Sequence, residues 1–287
     1  MSPSPGLGVP PLVIALVLGA AVLHASWNAL LRSGLDRLWS ITLMCIVGAT
    51  AAGVATLFLP IPAPASWPYA GLSALLQIGY CLFLVRAYEK GELGQIYPIA
   101  RGAGPLLVAL GAAVFAGERL GVQSLAGLGL VCGGIVSLSL GKDRPDLGAT
   151  LDALIAGALI AAYMVSDGVG VRLSGHALSY VAWMTLAQGA PMPLVYLALR
   201  RRFPPVRLND PETLKALGGG VLGLVAYTVV VWALSLAPMA KVSGLRETSI
   251  LFAAAIAFFV LKEPVTGRRL AGVGAIAAGA VTLLANG

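Results

Sequence analysis

The sequence predicts an all-α integral membrane protein, with ten transmembrane helices arranged as two inverted five-helix repeats. Three observations predict it. Charged residues are 11% of the 287 and hydrophobic residues 58%, less than half the charge of an ordinary soluble domain. Ten apolar stretches follow one another with short connections, each near the ~20 residues that cross a bilayer as a helix. A set of residues also recurs at one fixed interval of 145.

The ten spans are expected at 10–31, 39–59, 67–88, 93–116, 121–140, 148–168, 177–199, 214–237, 242–261 and 270–285. The last is the shortest and needs a thin bilayer or flanking anchors. Helix breakers fall between them: Pro60, Pro62 and Pro64 after span two, Pro145 after span five, Pro204 and Pro205 after span seven. Residues 1–11 hold no Lys or Arg, unlike the basic start of a secretory signal, so the first apolar segment is expected to be retained.

Basic residues set the expected orientation. Connections after odd-numbered spans hold 14 Lys and Arg, among them Arg200, Arg201 and Arg202; the even ones hold three, Arg119, Arg172 and Lys241. Basic loops stay cytoplasmic, so both termini are expected on the non-cytoplasmic side. This placement also accounts for the net charge of +7 without nucleic acid. Cys45, Cys81 and Cys132 lie in apolar runs without metal-ligand spacing, and His24 and His176 are the only histidines. No metal, cofactor or catalytic residue is expected.

The repeat is carried by Arg101, Glu118, Gly127, Gly129 and Gly134, matched by Arg246, Glu263, Gly272, Gly274 and Gly279. An odd number of spans per repeat inverts the second copy, giving units 1–143 and 144–287 about a pseudo-two-fold axis in the membrane plane. Secondary transporters built this way hold substrate near the midplane between repeats.

These residues also carry a resemblance. Pro105, Glu118-Arg119-Leu120, Gln123, Gly127 and Gly134, with Glu263, Gly272 and Gly279 and the tract His24-Ala25-Ser26-Trp27-Asn28, resemble the EamA-type ten-span exporters of the drug/metabolite transporter superfamily. The second copy departs at Ile250, which stands where the first has Pro105. The resemblance implies a secondary exporter of small metabolites, amino acids foremost, in a bacterial-type inner membrane, with multidrug or toxic-cation efflux as the alternative.

Polar groups inside apolar spans mark the expected pathway. Pairs four residues apart share a helix face: His24 and Asn28 beside Trp27, Tyr97 and Arg101, Tyr163 and Asp167. Span nine adds Ser243, Arg246 and Glu247; spans three and eight add Gln77, Tyr80, Tyr227 and Trp232. Each has a plainer role. Arg101 and Arg246 near helix starts can snorkel to headgroups, Asn28 can serve an interhelical hydrogen bond, and Asp167 can be a solvated terminus. Glu118 and Glu263 are expected to fix loops, and Trp39, Trp67 and Trp183 to anchor at interfaces.

A cavity is therefore expected among spans one, three, four, six, eight and nine, with the Gly-rich spans five and ten outside. Two gates are expected, His24 and Asn28 towards Arg101 on the inner side, Asp167 against Arg246 on the outer, the latter the tighter. No GxxxxGK[ST] motif supplies ATP drive. Protons are a candidate coupled ion through Asp167, Glu247 or His24; facilitated efflux fits the residues equally. A single chain is enough for this pathway. A membrane enzyme would need clustered acid, base or nucleophile groups at one depth, and HExxH is absent.

Overall fold

The computed structural model describes residues 9–32, 36–90, 93–139, 146–207, 209–259 and 266–285. Lys142, Arg144, Lys262 and Glu263 fall outside them. Every regular element described is helical: α1 (Pro11–Arg32), α2 (Arg37–Thr56), a 3-10 turn (Pro64–Ser66), α3 (Trp67–Lys90), α4 (Leu93–Gly102), α5 (Gly104–Ala116), α6 (Val122–Ser139), α7 (Leu147–Leu173), α8 (Ala177–Gly189), α9 (Met192–Arg200), α10 (Pro211–Leu236), α11 (Met239–Arg246), α12 (Ser249–Phe259) and α13 (Gly267–Leu284).

Six stretches have the length and apolarity to cross a membrane: Pro11–Leu31, Arg37–Thr56, Pro64–Lys90, Pro98–Ala116, Leu147–Leu173 and Pro211–Leu236. Leucines such as Leu12, Leu110, Leu154 and Leu194 stand exposed along the helices, a surface suited to lipid rather than water. The chain is a multi-pass membrane protein. Val122–Leu138 and Leu270–Leu284 are shorter apolar helices.

Three expected spans are each two helices. Span seven divides into α8 and α9 at Ala190-Pro191, where a ring nitrogen cannot donate to the preceding turn. Span four divides at Ala103, just before Pro105 at the start of α5. Span nine divides at Glu247-Thr248, with no proline present. There Thr248 Oγ1 donates to Leu245 O at 2.7 Å. The amides of Thr248, Ile250 and Leu251 each bond a carbonyl three residues back, at 3.1, 3.0 and 2.9 Å. The winding is tightened to 3-10 form. The breaks at 103 and 248 differ by the repeat interval of 145.

Side chains cap several helices. Asp36, Asp146 and Asp210 accept the amides of Trp39, Ala149 and Thr213 at 3.0, 2.8 and 3.1 Å. Gly117 at φ 66° closes α5, a left-handed conformation that glycine adopts at little cost.

The connections segregate to two ends. At one, Lys90 and Arg86 pair with Asp152 at 2.7 and 3.4 Å. Arg37 Nη1 donates to Tyr88 O at 3.0 Å, Tyr196 Oη to Asp36 Oδ2 at 3.0 Å, and Arg200 pairs with Glu89 at 2.9 Å. This is the basic end. At the other, Ala63 N donates to Ser174 O at 2.9 Å, and Arg172 pairs with Glu118 at 2.7 Å. Glu118 also accepts the Met239 amide at 2.9 Å, capping α11. Glu118 thus fixes three connections. The largest hydrophobic cluster fills the half nearer this second end, with Val13, Val108, Met164, Tyr180, Val230 and Met239 among its members.

Outside the central helices, α6 and α13 cross antiparallel with backbones in contact. A Cβ on Gly127 would lie 3.0 Å from Gly279 O, and one on Gly134 would lie 2.8 Å from Gly272 O. Gly129, Gly133 and Gly274 have nothing within 4 Å and face outward.

Candidate functional site

A cavity of about 150 Å³ lies among six helices, nearer the basic end. His24 and Trp27 reach it from α1, Met44, Cys45 and Gly48 from α2, and Gln77, Tyr80 and Cys81 from α3. Tyr163 comes from α7, Thr185 and Gln188 from α8, and Gly219, Gly220, Gly223 and Tyr227 from α10. Its aromatic wall is continuous: Tyr80 meets Tyr163 edge-on at 5.9 Å, and Tyr163 meets Tyr227 at 5.9 Å. Such rings give apolar area with a hydroxyl at the tip.

His24 connects the cavity to a buried charge cluster. Its Nε2 lies 2.7 Å from Arg101 Nη1. Arg101 grips Glu247 with both ends of its fork, Nε to Oε2 at 2.6 Å and Nη2 to Oε1 at 2.8 Å. Such bidentate charge-assisted pairs are the strong ones. Arg246 Nη2 approaches Glu247 Oε1 at 3.4 Å. It lies beside Tyr163, a cavity residue. All three charged side chains are buried. The helix breaks place them: Arg101 is the last residue but one of α4, two before the break at Ala103, and Arg246 and Glu247 sit at the other. Two guanidiniums share one carboxylate, so the cluster carries one excess positive charge.

His24 has a further constraint. Trp27 Nε1 donates to its Nδ1 at 3.0 Å while Arg101 stands at its Nε2. Neither partner can accept a hydrogen bond. A neutral imidazole accepts at one nitrogen only, so Trp27 and Arg101 compete for the single acceptor of His24.

At the far end of the cavity, Tyr227 donates to Asp167 Oδ2, and Tyr180 donates to Oδ1 at 3.0 Å. Beyond them Arg172 donates to Leu234 O and Ala237 O, each at 2.9 Å, and Trp67 packs on Trp183 at 5.1 Å. This end is sealed.

Of the residues expected from sequence, His24, Trp27, Gln77, Tyr80, Tyr163 and Tyr227 line the cavity. Arg101, Arg246 and Glu247 stand behind His24 and Tyr163. Asp167 stands behind Tyr227. Asn28 turns back to its own helix, donating to His24 O at 2.7 Å. Trp232 packs half-buried against the large core, Ser243 is buried in α11, and the Tyr97 side chain lies outside the described residues.

Two expectations are corrected. Spans four and nine supply none of the cavity-lining side chains found, because their breaks turn the charged residues towards one another. Spans two and seven supply several instead. Asp167 does not meet Arg246: Glu247 occupies that arginine, and two tyrosines occupy the aspartate. The passed-over lining had readable signals in Gln188, Thr185 and the run Gly218-Gly219-Gly220. Gly220 lets α10 approach α2, since a Cβ there would lie 2.9 Å from Val47 Cβ.

An apolar helical bundle thus encloses a mostly apolar cavity with a few polar groups, its far end occupied by Asp167, Tyr180 and Tyr227. Residues 148–285 match the family model described as "EamA-like transporter family". A solved crystal structure superposes with a TM-score of 0.71 at 20% identity, covering 94% of each chain. At that identity the likeness is one of fold. No curated protein sequence matches the chain.

Proposed function

We propose that this protein is a secondary transporter that exports small metabolites, amino acids foremost, by alternating access through the central cavity. The observation that carries this is the cavity's position, closed at one end by Asp167, Tyr180 and Tyr227 and backed by the His24–Arg101–Glu247–Arg246 cluster at two helix breaks. Broken helices that line or back a midplane site are a recurring transporter device. The match of residues 148–285 to the EamA-like transporter family supports the same reading.

The finer architecture is part of the proposal: ten spans, in units 1–143 and 144–287, inverted about an axis in the membrane plane. Supporting it, the interval of 145 exchanges Gly127 with Gly272 and Gly134 with Gly279. The contact of Gly127 with Gly279 then becomes the contact of Gly272 with Gly134, as a two-fold axis requires. The basic end is assigned to the cytoplasm by its lysines and arginines, in a bacterial-type inner membrane, which puts the cavity nearer the cytoplasmic side.

The cluster's excess positive charge favours a substrate with a carboxylate and repels a toxic cation. Tyrosine hydroxyls, Gln77 and Gln188 suit the remaining polar groups of an amino acid. The test is purified protein in liposomes loaded with a labelled amino-acid panel. Efflux of one or a few members above empty liposomes is expected. No efflux of any member, with efflux of lipophilic cations instead, overturns the substrate assignment.

A further inference from the structure

Asp167 is a fully buried acid in α7. Its surroundings are neutral. From α8 it meets Tyr180, and from α10 Tyr227, which also lines the cavity. The Ser73 hydroxyl of α3 lies beside it. From α11, Met239 packs over the adjoining Gly168. Packed on the same helix, α5 carries no titratable side chain. On α7 itself, Tyr163 is one turn back and Arg172 five residues on. Arg172 is held by Glu118 and two carbonyls, and Arg101 and Arg246 turn to Glu247. Among the described residues no cation pairs with Asp167.

An ionised carboxylate in a membrane interior without a cation is costly, and such groups carry function. Proton uptake removes that cost, and the network accommodates it. The carboxyl O–H donates to the Tyr227 oxygen, which turns from donor to acceptor, while Tyr180 keeps donating to the other carboxyl oxygen. Opening the sealed end admits water, which stabilises the ionised form. The sealed state therefore binds the proton more tightly than the open one, and by linkage the proton stabilises the seal.

We propose that Asp167 is a proton-binding site whose protonation holds the non-basic end closed, with Tyr227 as the contact passing the proton to the cavity. Given the export reading, on which its direction rests, one proton enters at Asp167 as substrate leaves, and departs through Tyr227 towards the basic end. An Asp–Arg latch would have the opposite sign, since a cation partner favours the ionised form when sealed.

Two measurements on the full chain in detergent test this without substrate flux. Infrared difference spectra on acidification should show a carboxylic-acid carbonyl band that Asp167→Asn removes. In a background with Cys45, Cys81 and Cys132 changed to Ser, Val230→Cys reports the seal, where Val230 is buried. Asp167→Asn, a neutral mimic, should slow its labelling at neutral pH about tenfold. A wild-type spectrum without the band, a band that survives Asp167→Asn, or faster labelling in that variant overturns the proposal. Should Asp167→Asn not fold, Tyr227→Phe should shift the band's frequency, and an unmoved band overturns it equally. Absent flux with a titrating band would count against the transport reading alone.

Discussion

Arg101 and Glu247 meet through hydrogen bonds of 2.6 and 2.8 Å across 146 residues of sequence, both side chains buried. The pair joins the broken end of α4 to the break between α11 and α12. At the sequence interval of 145 that relates Arg246 to Arg101, Glu247 falls opposite Gly102. The two arginines recur and the carboxylate does not, so one acid serves both.

This sharing predicts a large cost for removing the acid. Glu247→Gln leaves two buried guanidiniums facing each other, and breaking a buried pair this way costs about 3–5 kcal/mol. The variant should melt well below wild type in detergent. Replacing Arg101, Arg246 and Glu247 together by Met, which leaves no buried charge unpaired, should recover much of the loss. A Glu247→Gln protein as stable as wild type would remove the cluster from the account.

The helix crossing of α6 and α13 predicts opposite outcomes at neighbouring glycines. Gly279→Val drives a side chain into Gly127 O, 2.6 Å from the first added atom, and should cost about 1–3 kcal/mol. Gly129→Ala meets open space, and should be neutral or stabilising by up to about 1 kcal/mol. Thermal unfolding of both variants checks this, and equal effects would contradict the crossing.

Glu118 predicts a loosened seal. It accepts the Met239 amide and pairs with Arg172. Glu118→Gln should cost about 1.5–3 kcal/mol, the range for hydrogen bonds to charged groups. Hydrogen exchange should rise in α11 and at the end of α7 while α2 and α9 stay protected. A uniform rise throughout the chain would argue against a local role.

Much of this was legible in sequence. His24, Arg101, Arg246 and Glu247 stand out because polar groups interrupt apolar helices, and Glu118 because it ends one. The partner of Asp167 was not legible. Symmetry with His24 and Arg101 suggested Arg246, but α7 runs on to Leu173, so Asp167 lies deeper, beneath Tyr180 and Tyr227. The lining from α2 was hidden for another reason. Met44, Cys45 and Gly48 read like the other apolar residues of their span, because an apolar cavity wall and an apolar outer face have the same periodicity.

Orientation has its own test. The excess of Lys and Arg at one end predicts both termini on the non-cytoplasmic side. A reporter active only in the cytoplasm, fused after Gly287, should stay silent; strong activity would invert the assignment of the basic end.

The central claim is that substrate passes through this cavity, and a plug tests it most directly. A Cβ on Gly223 would sit 3.8 Å from Trp27, in ordinary contact, so Gly223→Leu should fold with its side chain filling the cavity. The measurement is efflux of a labelled amino acid from liposomes holding wild type or Gly223→Leu at equal density. The account predicts efflux from wild type and, for Gly223→Leu with an unchanged melting temperature, a rate at the level of empty liposomes. Undiminished efflux through the folded plugged variant would contradict it.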